Sequence, residues 1–329
     1  MRVCVATTVH HPEDARIMHR QIRALLDAGH QVTYVAPFTF FNVTPPMPIT
    51  AIDVPRHAAY SRARSALRRG VKDAELLMVH DHDLLRALPY RRPPVVWDVR
   101  EPVSERRLAR ARRRHHVIAA DAVAGSATGE VVPEATLVSS YPPPPGDTRV
   151  VHLGRLTTER GVSELIGLAE RLIPHGIRMD LIGAADRDVR PLLRDAQRVG
   201  LLDWYGYVPN RHALRMAEGA LAGLSLASAS VRGVPTKVLD YMGRGIPVIT
   251  TPQSAALVER VGCGIAVPLD VEAVRHAVLD LKEDPVRRAE LGARGHAEAL
   301  LRYHWPDQAA TFVSLMQRYA GVPEHALAV

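Results

Sequence analysis

Short apolar runs alternate with amphipathic segments along most of this 329-residue chain. In the first half, the apolar runs that predict strands lie at 3–8, 31–37, 76–80, 95–99 and 122–126. Between the first two runs, apolar residues recur with helical spacing, which predicts a helix with one buried face. That face consists of Ile17, Ile22, Leu25 and Leu26. Apolar strands separated by helices are typical of a parallel sheet covered on both faces.

The alternation is interrupted once, at 139–147, where SSYPPPPGD contains four consecutive prolines. Proline neither continues a helix nor donates to a sheet, so this segment predicts a stiff, extended connector. A second series of apolar runs follows at 149–154, 178–184, 204–208, 221–228, 246–251 and 264–268, and the chain from about 271 to 320 is helical in pattern.

We therefore predict an α/β protein with two doubly wound domains that face a central cleft. The predicted parts are a first domain at 1–141, a proline linker at 142–148, a second domain at 149–305, and a C-terminal helix at 306–329 that can cross back to the first domain. Ligands of such sheets bind beyond the carboxyl ends of the strands.

Composition places few limits on the partner. The chain is 47% hydrophobic and 23% charged, which is normal for a globular protein. Its net charge of +7 suits anionic ligands or an anionic membrane surface without choosing between them. The two cysteines, Cys4 and Cys263, show no pairing by spacing, and the first apolar run is too short for a signal peptide. We therefore expect a cytoplasmic protein with no membrane-spanning segment.

One candidate ligand site lies in GVPTKVLDYMGRGIPVITT, at 233–251. Pro235 suits the first turn of a helix, and Gly233 lets the backbone approach a ligand closely. The free N–H groups at that helix start attract anions. Lys237 adds a positive charge for a phosphate, and Asp240 can accept from a sugar diol. The alternative is a surface Lys–Asp pair worth about 0.2–0.5 kcal/mol.

A second candidate lies in HLGRLTTERGVSEL, at 152–165. A strand ends at Gly154, and a polar loop then carries Arg155 and Arg160 before Gly161 and a helix. Guanidinium groups bind phosphate oxygens in bidentate fashion, so two arginines in such a loop suit a pyrophosphate. Solvated loop arginines are the alternative, since 39 of the 42 basic residues here are arginine.

Taken together, GRL…RG and, about 80 residues later, PTKVLDYMGRGIPVI resemble the nucleotide-sugar-dependent glycosyltransferases of family GT4. Further similar segments are VHHPEDARIMHRQIRALLDAGHQVTYVAP (9–37), VHDHDLL (79–85), WDVRE (97–101), GCGIAVPLD (262–270) and YHW (303–305). The resemblance covers nearly the whole chain. It implies the GT-B fold, with two Rossmann-like domains, the first on the acceptor side and the second binding the donor.

The resemblance also implies roles for individual residues. Arg155 and Arg160 match the basic pair that grips the donor's phosphates, and Lys237 joins them in stabilising the leaving group. Asp240 matches the acid that holds the ribose hydroxyls. Backbone groups at Tyr207 and Val208 meet the nucleobase. The predicted donor site thus comprises Gly154, Arg155, Arg160, Tyr207, Val208, Gly233, Pro235, Thr236, Lys237 and Asp240.

The chain departs from the family pattern on the sugar side. Gly233 replaces the first acid of the family's Glu-x7-Glu element, and Arg100 replaces a histidine. Arginine cannot act as a base, although it can hold a phosphate or carboxylate, and Glu101 is the titratable group that remains. The predicted acceptor-side or sugar-side residues are His10, His11, Asp14, His80, Asp81, Arg100 and Glu101.

The sequence HDHD, from His80 to Asp83, also matches the chemistry of a metal site. Alternate residues at a strand end point to opposite faces, which argues against a shared ion. We therefore expect no metal and no cofactor beyond the nucleotide diphosphate sugar, which is a co-substrate.

The arginine-rich stretch at 106–116 has two interpretations. It is either a solvated helix face or a surface attracted to anionic lipid, at about 1 kcal/mol per basic residue. Nucleic acid is not expected as a partner, because the stretch lacks interleaved aromatic residues.

The main hypothesis is a metal-independent, retaining glycosyltransferase that uses a UDP-sugar in preference to a GDP-sugar. Its acceptor would be a hydroxyl on a small molecule, a glycan or a lipid-linked compound, reached in the cytoplasm or at the inner membrane face. The alternatives are a catalytically weak binding subunit of a biosynthetic complex and a sugar-nucleotide epimerase.

Overall fold

The computed structural model describes residues 1–45, 47–100, 103–119, 130–228 and 235–321, with the side chain of Gln253 excepted. The chain divides into two compact units, one formed by Met1–Glu134 with Pro306–Val329 and the other by Ala135–Trp305. Each unit is built on one parallel sheet with helices, so the prediction of two Rossmann-like α/β domains is confirmed.

The described part of the first unit contains a seven-stranded parallel sheet in the order β3-β2-β1-β4-β5-β6-β7. Its strands are β1 (Arg2–Ala6), β2 (Gln31–Ala36), β3 (Thr50–Asp53), β4 (Leu76–Val79), β5 (Val95–Val99), β6 (His116–Ala119) and β7 (Glu130–Val131). Its helices are a π-helix (Ile17–Ile22) continued by α1 (Arg23–Asp27), then α2 (Phe38–Phe41), α3 (Tyr60–Gly70), a 3-10 helix (His82–Arg86) and α4 (Glu105–Arg112).

The described part of the second unit contains a six-stranded parallel sheet in the order β10-β9-β8-β11-β12-β13. Its strands are β8 (Arg149–Leu153), β9 (Arg178–Ile182), β10 (Asp203–Trp204), β11 (Ala222–Ser225), β12 (Val248–Thr250) and β13 (Gly264–Ala266). Its helices are α5 (Val162–Leu172), α6 (Arg190–Arg198), α7 (Asn210–Ala217), α8 (Thr236–Met242), α9 (Pro252–Val261), α10 (Val271–Glu283) and α11 (Pro285–Arg302), with 3-10 turns at Thr158–Arg160 and Ile173–His175.

The last described helix, α12 (Trp305–Tyr319), contacts the first unit near its end. The ring of Tyr319 stacks on His116 with centroids 4.0 Å apart, and the Gln317 amide lies 3.2 Å from a ring nitrogen of His30. Within the described residues, no helix is long and apolar enough to cross a bilayer.

The strands differ from the prediction in several places. The strand predicted at 204–208 ends at Trp204, because the chain turns at Gly206, whose φ is 67°. Strands β3, β6 and β7 were not predicted, since β3 is a largely exposed edge strand, β6 begins at the last residue of the arginine-rich stretch, and β7 has only two residues, both exposed. The strand predicted at 122–126 lies outside the described residues.

Both sheets reverse their strand order once, between β1 and β4 in the first unit and between β8 and β11 in the second. In the second sheet, β8 and β11 pair only through Ala222 with Val150 and Gly223 with Val151. Helix connections leave in opposite directions at such a point, so a crevice opens beyond the strand ends. We therefore expect a ligand position at the carboxyl edge of each sheet.

The Tyr241 side chain of α8 holds the two central strands of the second sheet where their pairing ends. Its hydroxyl accepts from the Leu153 amide at 2.8 Å and donates to the Leu224 carbonyl at 3.0 Å. A Cβ at Gly223 would lie 2.3 Å from the tyrosine ring, so only glycine leaves room for it. The phenol therefore replaces ladder hydrogen bonds that the diverging strands do not make.

We expect Tyr241→Phe to destabilise the protein by about 1–3 kcal/mol, because the substitution leaves a buried amide and a buried carbonyl unsatisfied. Tyr90→Phe is the matched control, since Tyr90 is 93% exposed and loses only a solvated hydroxyl. Denaturant titration of both variants measures the difference, and equal midpoints would show that the bridge adds nothing to stability.

Candidate functional site

The carboxyl end of β8 opens directly onto Lys237. Gly154 follows the strand with a φ of 98°, a conformation that favours glycine. A Cβ at this position would lie 3.7 Å from Lys237 Cε and 3.9 Å from Nζ. The neighbouring strand also comes close here, because a Cβ at Gly183 would lie 1.9 Å from the Gly154 carbonyl oxygen. Two glycines thus create the strand-end space beside the lysine.

Lys237 lies in the first turn of α8 and is buried, as is the His152 side chain of β8. Its Nζ lies 2.8 Å from His152 Nε2. Burial, and then the charge of Arg160, lowers the pKa of Lys237, while Asp240 acts in the opposite direction. Burial and Lys237 lower the pKa of His152, so the imidazole is neutral. His152 was not predicted as a site residue. The sequence signal for it was a histidine placed between the apolar residues Val151 and Leu153.

The two predicted arginines lie in the loop after β8. Arg155 is exposed, and its Nε donates to Asp186 at 2.6 Å. Arg160 ends the 3-10 turn and is half-buried. Burial and the charge of Arg155 lower the pKa of Arg160, which in turn lowers that of Lys237. Arg155 thus interacts electrostatically with Arg160, and Arg160 with Lys237.

Asp240 lies one turn after Lys237 on α8 and is also buried. Its Oδ1 accepts from the Thr136 hydroxyl at 2.5 Å. One oxygen of the predicted ribose ligand is therefore already oriented by a threonine that the sequence analysis did not identify.

The other predicted donor residues lie around these elements. Helix α8 begins at Thr236, directly after Pro235, whose ψ of 136° is extended. Tyr207 and Val208 lie in the loop between β10 and α7, where Val208 packs against the apolar cluster that contains Val151. Gly233 lies outside the described residues.

A cavity of about 290 Å³ lies in the first unit, at the ends of β4 and β5 and beside the loop after β1. Its described lining includes His10, His80, Asp81, His82, Trp97 and Arg100. This is the strand-order reversal of the first sheet, where a ligand position is expected. Of the seven predicted acceptor-side residues, four therefore meet in one cavity: His10, His80, Asp81 and Arg100.

Most acids at this edge already have partners within the protein. Asp81 is buried and accepts from the Thr7 hydroxyl at 2.8 Å and the Thr8 hydroxyl at 2.9 Å, with His10 Nε2 at 3.7 Å. Asp14 accepts from two backbone amides and lies 3.0 Å from Arg100. The carboxylate that Arg100 holds is thus that of Asp14. Glu101 lies outside the described residues.

A buried charged cluster under the cavity was not predicted. Arg16 donates to both carboxylate oxygens of Asp98, at 2.9 and 3.0 Å, and Gln21 donates to the same acid at 2.7 Å. His80 Nδ1 lies 3.4 Å from Asp98. The π-helix explains the geometry, because its hydrogen bond from Gln21 to the Arg16 carbonyl aligns residues five apart. The sequence signal for this cluster was Asp98, an acid inside the otherwise apolar strand VVWDV.

The four residues of HDHD all line this cavity but have different surroundings. His80 faces Asp98, Asp81 binds the threonines, the His82 ring lies 5.3 Å from that of Trp97, and Asp83 is exposed. The strand ends at Val79, so the separation arises in the turn that follows and not from strand alternation. Among the described residues, no group of three or more His, Cys, Asp or Glu side chains could hold a metal ion.

The histidines of the first loop predict a pH dependence of stability. Burial lowers the pKa of both His10 and His11 to about 4 from 6.5, so the unfolded chain binds these protons first. The contribution of these histidines to the free energy of unfolding should therefore be fully present above about pH 6.5 and decrease as the pH drops toward 4. At about pH 5 the loss should be on the order of 1–2 kcal/mol per histidine. The paired carboxylates contribute only at lower pH.

Thermal melts at about pH 7 and about pH 5 test this expectation. The double variant His10→Asn, His11→Asn should show a smaller drop than the parent protein. His175→Asn is the matched control, because His175 is exposed. An unchanged drop in the double variant would contradict the assignment.

Comparison with known proteins finds a family match in the second unit. Residues 147–284 match the family described as glycosyl transferases group 1. A putative colanic acid biosynthesis glycosyltransferase, WcaL of Escherichia coli (strain K12), is 27% identical over 129 residues, or 36% of this chain and 32% of that protein. The match thus spans about a third of that relative's length.

The whole chain resembles solved glycosyltransferase structures. Sucrose-phosphate synthase from Thermosynechococcus elongatus has a TM-score of 0.71 at 17% identity, over 98% of this chain and 100% of that one. HepE from Anabaena, solved with UDP and glucose, has a TM-score of 0.73 at 16% identity, over 96% and 99%. These likenesses establish the GT-B fold. Over residues 147–284, the chain is therefore similar to the group 1 glycosyltransferases.

Proposed function

We propose that this chain is a retaining, metal-independent glycosyltransferase of the GT4 type that transfers a sugar from a nucleotide diphosphate sugar to an acceptor hydroxyl. The observation that carries the proposal is the position of Lys237 beside Gly154, with Arg160 close enough to lower the pKa of Lys237 and Arg155 close enough to lower that of Arg160. These residues lie at the strand-order reversal of the second sheet, within the residues that match the family.

The proposed donor position follows from the charges. The diphosphate carries at least two negative charges. Burial and the charge of Arg155 lower the pKa of Arg160, and burial and the charge of Arg160 lower the pKa of Lys237. An anion placed beside Gly154 would relieve that repulsion. The same charges would stabilise the negative charge that develops as the diphosphate leaves, which is often the largest catalytic contribution.

The remaining donor contacts are assigned by the resemblance to GT4 and are compatible with the positions found. Asp240 is proposed to hold the ribose hydroxyls, with its carboxylate oriented by Thr136. Backbone groups at Tyr207 and Val208 are proposed to meet the nucleobase. UDP is favoured over GDP, because HepE is a fold relative solved with UDP and with UDP-glucose.

The acceptor is proposed to bind in the cavity of the first unit, with the His10, His80 and Arg100 side chains around it. The curated relative named for colanic acid biosynthesis supports a glycan or lipid-linked acceptor. An acceptor of that kind would place the protein in the cytoplasm, at the inner face of the membrane, with the exposed arginines of α4 toward the lipid.

The proposal is tested by donor screening followed by a transfer assay. A panel of UDP- and GDP-sugars is first compared by thermal shift, since a ligand at one hundred times its Kd adds about 2.7 kcal/mol. The stabilising donor is then incubated with candidate acceptors, and NMR of the product reports the anomeric configuration. An inverted product would remove the retaining mechanism, and donor binding without transfer would favour a binding subunit.

Lys237→Ala should lower kcat/KM by roughly 100-fold, because about 2.7 kcal/mol of charge-assisted contact to the leaving diphosphate is lost. Lys72→Ala is the matched control, since Lys72 is exposed in the first unit. Melting curves of both variants separate lost function from lost folding. A folded Lys237→Ala protein with parental kcat/KM would remove the phosphate assignment.

EDTA should leave turnover nearly unchanged, and added Mg²⁺ or Mn²⁺ should change it little. The proposed diphosphate would lie beside Arg155, Arg160 and the ammonium form of Lys237, so a divalent ion gains little further attraction there. Initial rates with and without chelator measure this. Loss of turnover that one specific divalent ion restores would overturn the metal-independent mechanism.

A further inference from the structure

His152 is a buried, neutral histidine whose ring contacts the side chain of Lys237. It lies on β8, two residues before Gly154, and its exposed fraction is 0%. The 2.8 Å separation between Lys237 Nζ and His152 Nε2 is a hydrogen-bond distance. Because an ammonium only donates, the imidazole nitrogen must be the acceptor when Lys237 is charged.

A histidine that merely filled the core would not explain this contact. An apolar residue would suit this position equally well, since its neighbours in the strand, Val151 and Leu153, are apolar and buried. A buried ammonium without an acceptor is strongly disfavoured. The imidazole is therefore explained by the need of Lys237 for a hydrogen-bond acceptor and not by the packing of the sheet.

We propose that His152 is a positioning residue for donor binding: it accepts a hydrogen bond from the Lys237 ammonium and holds Nζ beside Gly154, where the diphosphate arrives. This inference rests on the proposed function, because it assigns Lys237 to the phosphates. It adds a residue that has no place in the donor-site pattern derived from the sequence.

The charges around Lys237 set the direction of the pH effect. Arg160, from the loop after β8, lowers the pKa of Lys237, Asp240 on α8 raises it, and His152 on β8 stays neutral. Only the ammonium attracts a diphosphate, so affinity should fall as the pH rises through the pKa of Lys237. Removing the acceptor lowers that pKa further, and the fall should then begin at a lower pH.

The experiment is calorimetric titration of the full-length protein with UDP, and with GDP in parallel, from about pH 6 to about pH 9.5. The variants are His152→Leu, which removes the acceptor, and His152→Gln, whose amide oxygen can reach the position of Nε2. His175→Leu is the matched control, because His175 is exposed and its ring is not in contact with the site.

The expected result is that His152→Leu binds the nucleotide at least about tenfold more weakly, as for loss of a hydrogen bond to a charged group. Its affinity should also fall at a lower pH than in the parent. His152→Gln should recover part of both effects, and His175→Leu should match the parent. A purely structural histidine would change melting temperature without moving the pH profile.

Parental affinity and pH profile in His152→Leu would overturn the inference while leaving the proposed function intact. If His152→Leu does not fold, the comparison becomes His152→Gln with His152→Asn, whose shorter side chain cannot reach Nζ. Equal binding by these two would likewise overturn it. A parent protein that binds neither UDP nor GDP would instead show that the proposed function itself is wrong.

Discussion

The hydroxyl of Tyr241 is the interaction on which the second unit's ligand position depends. Strands β8 and β11 must separate at the reversal of strand order, yet their buried backbone groups must remain hydrogen-bonded. The phenol meets both requirements by accepting from Leu153 and donating to Leu224. Gly223 is required because its missing side chain is the space that the tyrosine ring occupies. Tyr241 lies one helical turn after Lys237, so the same helix that separates the strands also carries the lysine to their ends.

The first unit has buried charged groups, instead of a tyrosine hydroxyl, near its reversal of strand order. Arg16, Gln21 and Asp98 form one hydrogen-bonded cluster beneath the cavity. Such a cluster adds little net stability, because the desolvation of the ions offsets their attraction, but it orients every side chain it includes. His80 is among them and faces the cavity edge. In the second unit, burial acts on the predicted site by lowering the pKa of Lys237. In the first unit, the buried cluster acts by fixing the orientation of its side chains.

The fold was largely predictable from sequence, because parallel strands leave long apolar runs that survive any tertiary context. The strand end at Gly154 and the loop position of Arg160 were also predictable, since both are local signals in the sequence, whereas the roles of Gly154, Arg160 and Lys237 in ligand binding stay predictions. His152 and Asp98 were not predictable. Each is a polar residue inside an apolar strand, and its role depends on a partner about 80 residues away, Lys237 or Arg16. The π-helix was equally hidden, because its spacing resembles an ordinary helix with one misplaced residue.

The choice of lysine at position 237 follows from the same burial. This chain has 39 arginines and three lysines among its 42 basic residues, so a lysine at position 237 is not explained by composition. A guanidinium stays charged at any physiological pH and would have to be buried as an ion before the ligand arrives. An ammonium can release its proton when buried beside Arg160, which lowers its pKa, and can regain it when an anion replaces that repulsion. A neutral histidine is the partner that suits both states, because its ring can accept from the ammonium and can donate to the free amine in its other tautomer. Lysine and histidine together thus keep the empty site free of an unpaired buried charge, which two arginines could not do.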